Sequence, residues 1–278
     1  MTADQIVLAL IATLTIGSAD LFGGIASRKS APLAVAAWSQ GIGVPIVAIV
    51  AVVVGGQVIA RDLGFGVVAG IGSAIGVGAL YRGFAFSDVG IVAPVAATTA
   101  AILPMFVGFA TGDRPSAVTM VGLGIAAIAI FLVGYVPGSD HATTGIVYGV
   151  VAGVGFGCMV LAYAGTSQDS GIWSAVAGRS AATILLVFVV VITRTAWRIA
   201  PSARSSTVLA GVLAAAGMGA FVAVSQTAEL FVLGVILGMF PVVTVLLAAI
   251  LLKEKLLASQ WVGVVLAGVA VVLINTGG

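Results

Sequence analysis

Long stretches of this chain carry no charge. Residues 31–56 contain none, and residues 63–86 contain only Arg82. Each run is longer than the roughly 20 apolar residues that cross the hydrocarbon core of a bilayer. An average soluble domain is about a quarter charged and about half apolar. Here 7% of residues are charged, 61% are hydrophobic and mean hydropathy is +1.29. In water such a chain would have no polar surface to present, so the sequence predicts an all-α polytopic membrane protein.

Cutting the chain at its charges and turn formers gives ten transmembrane spans, at 5–27, 31–54, 63–86, 88–110, 117–136, 143–165, 170–193, 206–227, 230–252 and 256–275. Ten spans use most of the 278 residues and leave only short loops, so the function is expected to lie within the bilayer. The first span lacks a basic leader and is longer than the core of a signal peptide, which predicts a retained helix. A single cysteine, Cys158, leaves no internal disulfide.

The chain repeats itself at an offset of 141 residues. That shift places Gly70 on Gly211, Gly76 on Gly217, Gly78 on Gly219 and Gly122 on Gly263. Charged turns coincide as well, with Asp88 on Glu229, Asp113 on Glu254 and Arg114 on Lys255. Each copy, 1–137 and 138–278, holds five spans. Five is odd, so the copies cross the membrane in opposite senses, giving a five-plus-five inverted repeat of the kind found in secondary transporters.

The segment GMFPVVTVLLAAILLKEKLLASQWVGVVLAGVAVVLI, with its helix-borne proline, charged turn and "Q..G" opening the last helix, resembles the end of an EamA-type half in the drug/metabolite transporter superfamily. LYRGFAFSDVGIVAPVAATTAAILPMFVGFATGDRPS resembles the matching part of the first half, and GSADLFGGIASRKSAPLAVAAWSQ the first helix hairpin. Asp113 and Lys255 stand where the family more often has glutamate and arginine, with charge sign kept. The resemblance implies ten helices around a central cavity, carrying small organic metabolites such as amino acids or drug-like amphipathic compounds, often outward. It also implies a bacterial inner-membrane location and cytoplasmic termini. Charge distribution implies the reverse orientation: Arg28, Lys29, Arg194, Arg198, Arg204, Lys253 and Lys255 follow odd-numbered spans, against Arg61 and Arg114 after even ones, which places both termini outside.

Glycines at 145, 149, 153 and 157, and at 66, 70, 72, 76 and 78, read as faces on which helix backbones touch. GIGSAIG lacks the spacing and the preceding strand of a dinucleotide site. Deep charges are more informative, since each costs at least about 2.5–3.5 kcal/mol at a helix centre. Only Asp20 among the acids and Arg179 among the bases lie well inside a span, with Arg82 about a turn from a helix end. Their depths differ by about 10 Å at 1.5 Å per residue, so they pair directly only if both side chains extend. Asp20 is the candidate proton-coupling group, with a structural ion pair as the other reading.

Candidate solute contacts are Asp20, Trp38, Ser39, Gln40, Tyr81, Arg82, Thr98, Thr99, Tyr163, Arg179, Ser225, Gln226 and Met239. Tyr163 and Trp173, near span ends, also fit interfacial anchors. Pro94, Pro104 and Pro241 are placed to kink the fourth and ninth spans. An intramembrane enzyme would need a serine–histidine pair, HExxH or paired aspartates. The sequence has one histidine, His141, in the expected loop GSDHATTG, and one deep acid, so no enzymatic activity, metal or cofactor is expected. The expected partners are a small-molecule substrate, the bilayer and protons, and no nucleic acid. An uncoupled channel or facilitator is the alternative to a carrier.

Overall fold

A computed structural model describes residues 3–110, 116–134, 140–225, 240, 243–253 and 257–276. Among them every regular element is helical: α1 Ala3–Ser27, α2 Pro32–Val54, α3 Ala60–Phe86, α4 Val89–Ala110, α5 Ala117–Gly134, α6 Asp140–Ala164, α7 Trp173–Ile192, α8 Pro201–Ser225, α9 over 243–251 and α10 Ala258–Thr276. A single 3-10 turn, Gln168–Ser170, precedes α7. Asp113, Arg114, Glu229, Pro241, Glu254 and Lys255 lie outside the described residues.

Helix starts differ from the sequence expectation where backbone chemistry sets them. Pro201 opens α8 five residues before the expected 206, because proline lacks the N–H that the first turn leaves unpaired and its φ is already helical. Arg204 therefore sits within a helix rather than beside one. Arg61 and Asp62 join the first turn of α3, and His141 lies in the first turn of α6 rather than in a loop. Gly55 ends α2 at φ +85°, a conformation that favours glycine.

Among the described residues four helices, Pro32–Val54, Ala60–Phe86, His141–Ala164 and Trp173–Ile192, are long and apolar enough to cross a membrane. Their outer faces are apolar and uncovered: Val53 is 79% exposed, Ile184 70% and Phe188 58%. Water would oppose such a surface; lipid matches it.

Packing runs through the glycines. Along α6, Gly149, Gly153 and Gly157 meet α4, and a methyl group on Gly157 would fall 2.9 Å from the Cβ of Leu103. On α3, Gly66 and Gly70 press on the backbone of α7, while Gly72 and Gly76 press on α6. On α1, Gly17 meets Val243 of α9, and Thr244 donates a 3.0 Å hydrogen bond to the Gly17 carbonyl. Helices α5 and α10 pack on each other, burying Ala126 and Ala270.

These contacts occur in matched pairs. Gly76 packs on Phe156 as Gly217 packs on Ile16, and a methyl group on either glycine would fall 2.6 Å from its partner. Gly70 meets Ala181 as Gly211 meets Ile42, and Gly157 meets Leu103 as Gly17 meets Val243. The 141-residue offset exchanges the members of each pair to within two residues.

The helix ends are tied at both sides. At one end Ser30 Oγ accepts the Ala200 N–H at 2.8 Å, Arg28 Nε donates to the Phe84 carbonyl at 2.9 Å, and Ser87 donates to the His141 carbonyl at 2.7 Å. At the other, the Gln57 N–H donates to the Asp169 carbonyl at 2.8 Å, and buried Asp62 takes both the backbone N–H and the hydroxyl of Ser167.

Candidate functional site

The polar interior centres on Tyr81 of α3, which is 3% exposed. Its ring occupies the space that a side chain on Gly23 of α1 would fill, so α1 and α3 approach closely there. The Tyr81 hydroxyl faces Ser39 on α2 and lies in the electrostatic field of Asp20 on α1 and Arg179 on α7. Asp20 is partly buried.

Arg179 is 8% exposed, and its guanidinium is seated against Gly43 of α2, where any Cβ would collide with Nη1. Its Nε and Nη1 are buried and have no hydrogen-bond partner among the described residues. The titratable groups that act on it are the tyrosines Tyr163 and Tyr81 rather than Asp20. The direct Asp20–Arg179 ion pair considered from sequence is therefore not what holds either residue; Tyr81 stands in the electrostatic field of both. Tyr163 enters from the end of α6, with its hydroxyl against Gly178, next in sequence to Arg179. Gln40 of α2 donates a 2.9 Å hydrogen bond to Ser73 of α3 and extends the polar region along the same helices.

Other sequence candidates lie elsewhere. Trp38 is 40% exposed, its ring centroid 5.2 Å from that of Trp197 and its Nε1 donating to the Trp197 carbonyl. An indole near a helix start leans back toward the helix N-terminus, and this carries Trp38 onto the segment before α8. Thr98 is buried, but its hydroxyl donates to the Pro94 carbonyl of its own helix at 2.8 Å. Thr99 packs on Gly153, and Arg82 is half-buried near the end of α3. Gln226 and Met239, and the side chain of Ser225, lie outside the described residues.

Residues that sequence reasoning missed are those with little chemical signal. Gly23, Gly43 and Gly178 create the space for Tyr81, Arg179 and Tyr163. Ser73 partners Gln40, and Asp62, read only as a helix-end charge, is 1% exposed. Helical spacing hinted at Gly43, four residues after Ser39 on the same face of α2. Among the described residues no group of three histidine, cysteine or acidic side chains is placed to hold a metal. What the arrangement offers is recognition: a buried cation with hydroxyls and a partly buried acid near it, where interactions are less screened than in water.

A solved structure known only as "Crystal structure of protein" shares the fold, with a TM-score of 0.65 over 98% of this chain and 96% of that one, at 15% identity. A search of curated proteins gives no match. The sequence model of the EamA-like transporter family matches residues 5–135 and again 143–276, nearly the whole chain in two copies, and the chain thus belongs to that family, within the drug/metabolite transporter superfamily.

Proposed function

We propose that this membrane transporter is a ten-helix, five-plus-five inverted repeat, with halves 1–137 and 138–278, that exports small organic metabolites by alternating access. Its expected setting is the bacterial inner membrane. The supporting observation is the exchange of packing contacts between the halves: Gly76 on Phe156 repeats as Gly217 on Ile16. Such pairs give one chain two near-equivalent packings, which is what rocking of one repeat against the other requires. The solute contacts proposed are Asp20, Tyr81 and Arg179, with Tyr163, Ser39 and Gln40 beside them, and Asp20 is the proposed proton carrier.

Proteoliposomes containing the purified protein test this reading. Uphill accumulation of a solute under an imposed proton gradient, with counterflow in its absence, is the expected result. Equilibration without accumulation would make the protein a facilitator. Asp20→Asn is expected to fold and to retain counterflow while losing gradient-driven movement; a variant that still follows the gradient removes Asp20 from coupling.

A further inference from the structure

Arg179 poses a problem that its neighbours do not solve. A guanidinium stays charged under all ordinary conditions, so it is not relieved by giving up its proton. It is 8% exposed, and its Nε and Nη1 reach no acceptor among the described residues. The groups near enough to act on it are phenols, Tyr163 and Tyr81, which supply hydroxyls but no neutralising charge. The site is nevertheless built around it. Gly43 leaves room for Nη1, and Gly178 leaves room for the Tyr163 hydroxyl. Two helices thus give up side chains to seat a buried cation that has no acidic partner among the described residues.

Building on the transport reading above, we propose that the carboxylate of the transported solute is the missing counter-ion, so that the substrate class is an organic acid bearing one carboxylate at the Arg179 end. A carboxylate offers two coplanar oxygens that match parallel guanidinium N–H donors, and the tyrosine hydroxyls satisfy its remaining lone pairs. The balance of charge selects a monoanion. Arg179 is one cation, and among the described residues Asp20 is the acid whose charge acts on Tyr81, where it repels any second negative charge. A phosphate dianion would call for a second base, and among the described residues none acts on these tyrosines besides Arg179.

Thermal unfolding of the purified full-length protein in detergent, at fixed pH and ionic strength, tests this with benzoate, phenylacetate and hexanoate against benzamide, phenylacetamide and hexanamide. The acids are expected to stabilise the wild type with affinities about tenfold or more above those of the amides, the factor that one charge-assisted hydrogen bond carries. Arg179→Gln should erase that preference. Gly43→Ala keeps the charge but drives its methyl into Nη1, and should weaken the acids while leaving the amides unchanged; it carries the test alone if Arg179→Gln does not fold. Equal stabilisation by acids and amides, or a preference that survives in both variants, overturns the proposal. Proteoliposomes separate it from the transport reading. A wild type that prefers acids but moves no solute defeats transport and leaves the site; one that moves solutes without preferring acids does the opposite.

Discussion

Asp62 and Tyr81 show how single side chains tie this bundle together. Asp62 stands in the first turn of α3, where N–H groups lack helical partners, and it accepts from both the backbone and the hydroxyl of Ser167 across the α6–α7 connection. Asp62→Ala removes both bonds and strands the Ser167 N–H, whereas Ser167→Ala removes only one. The first substitution is therefore expected to lower the melting temperature in detergent by more than the second; an equal loss would show that the hydroxyl carries the whole tie. Tyr81→Phe keeps the ring in the Gly23 seat and removes only the hydroxyl, which faces Ser39 in the field of Asp20 and Arg179. Folding should be retained and solute affinity should fall about tenfold, the worth of one hydrogen bond to a charged group, as read by counterflow kinetics. Arg179 was legible from sequence because a deep charge is costly and so marks itself. Tyr163 was not. It stands one residue from the end of α6, which reads as an interfacial anchor, but helical side chains lean toward the N-terminus, and this carries its hydroxyl inward to Gly178. The same lean carries Trp38, near the start of α2, out to Trp197.

At the scale of elements, glycine decides which helices touch and how closely. Lipid gives no hydrophobic reward for helix association, so contact depends on backbones approaching and interlocking. Gly70 faces the Gly178 carbonyl and the Cβ of Ala181 on α7, and a larger side chain there meets backbone and a methyl group that cannot swing aside. Gly70→Leu should cost about 1–3 kcal/mol or more through overpacking. Gly124, on α5, is different: a methyl group added there would meet nothing within 4 Å. Gly124→Ala should be neutral or stabilise by up to about 1 kcal/mol, since alanine loses less freedom in a helix. Unfolding midpoints of the two variants check the contrast, and similar losses in both would mean that helix glycines act by flexibility rather than by fit. Long apolar runs made the helices readable, and fourfold glycine spacing made the α6 face readable. Partners were not, because a glycine stripe declares closeness without saying to what: the stripe on α6 meets α4, while α3 divides its own between α6 and α7. Boundaries moved where one residue outweighed the local pattern, as Pro201 does at α8.

The whole molecule raises the question of which way it sits in the membrane. Helix α2 separates two polar ends by 23 residues, about 34 Å at 1.5 Å per residue, the span of a bilayer core. The end reached by α1, α3 and α7 carries Arg28, Lys29, Arg194, Arg198, Arg204 and Lys253, whereas among the described residues the opposite end carries Arg61. The repeat was legible because its glycines and charged turns recur at one offset, and the packing pairs follow that offset. Orientation was not equally legible, because the charge bias places the termini outside while family likeness places them in the cytoplasm. The charge rule acts on this chain's own loops during insertion, so it should prevail, putting the basic end in the cytoplasm. Single cysteines read this directly once Cys158, exposed on α6, is replaced by serine. Lys29 and Gln57 are both exposed and stand at the two ends of α2. With a membrane-impermeant maleimide on intact cells, Gln57→Cys should label at once and Lys29→Cys only after permeabilisation. The reverse pattern would place the termini in the cytoplasm, and labelling of both in intact cells would mean that the chain inserts in two orientations.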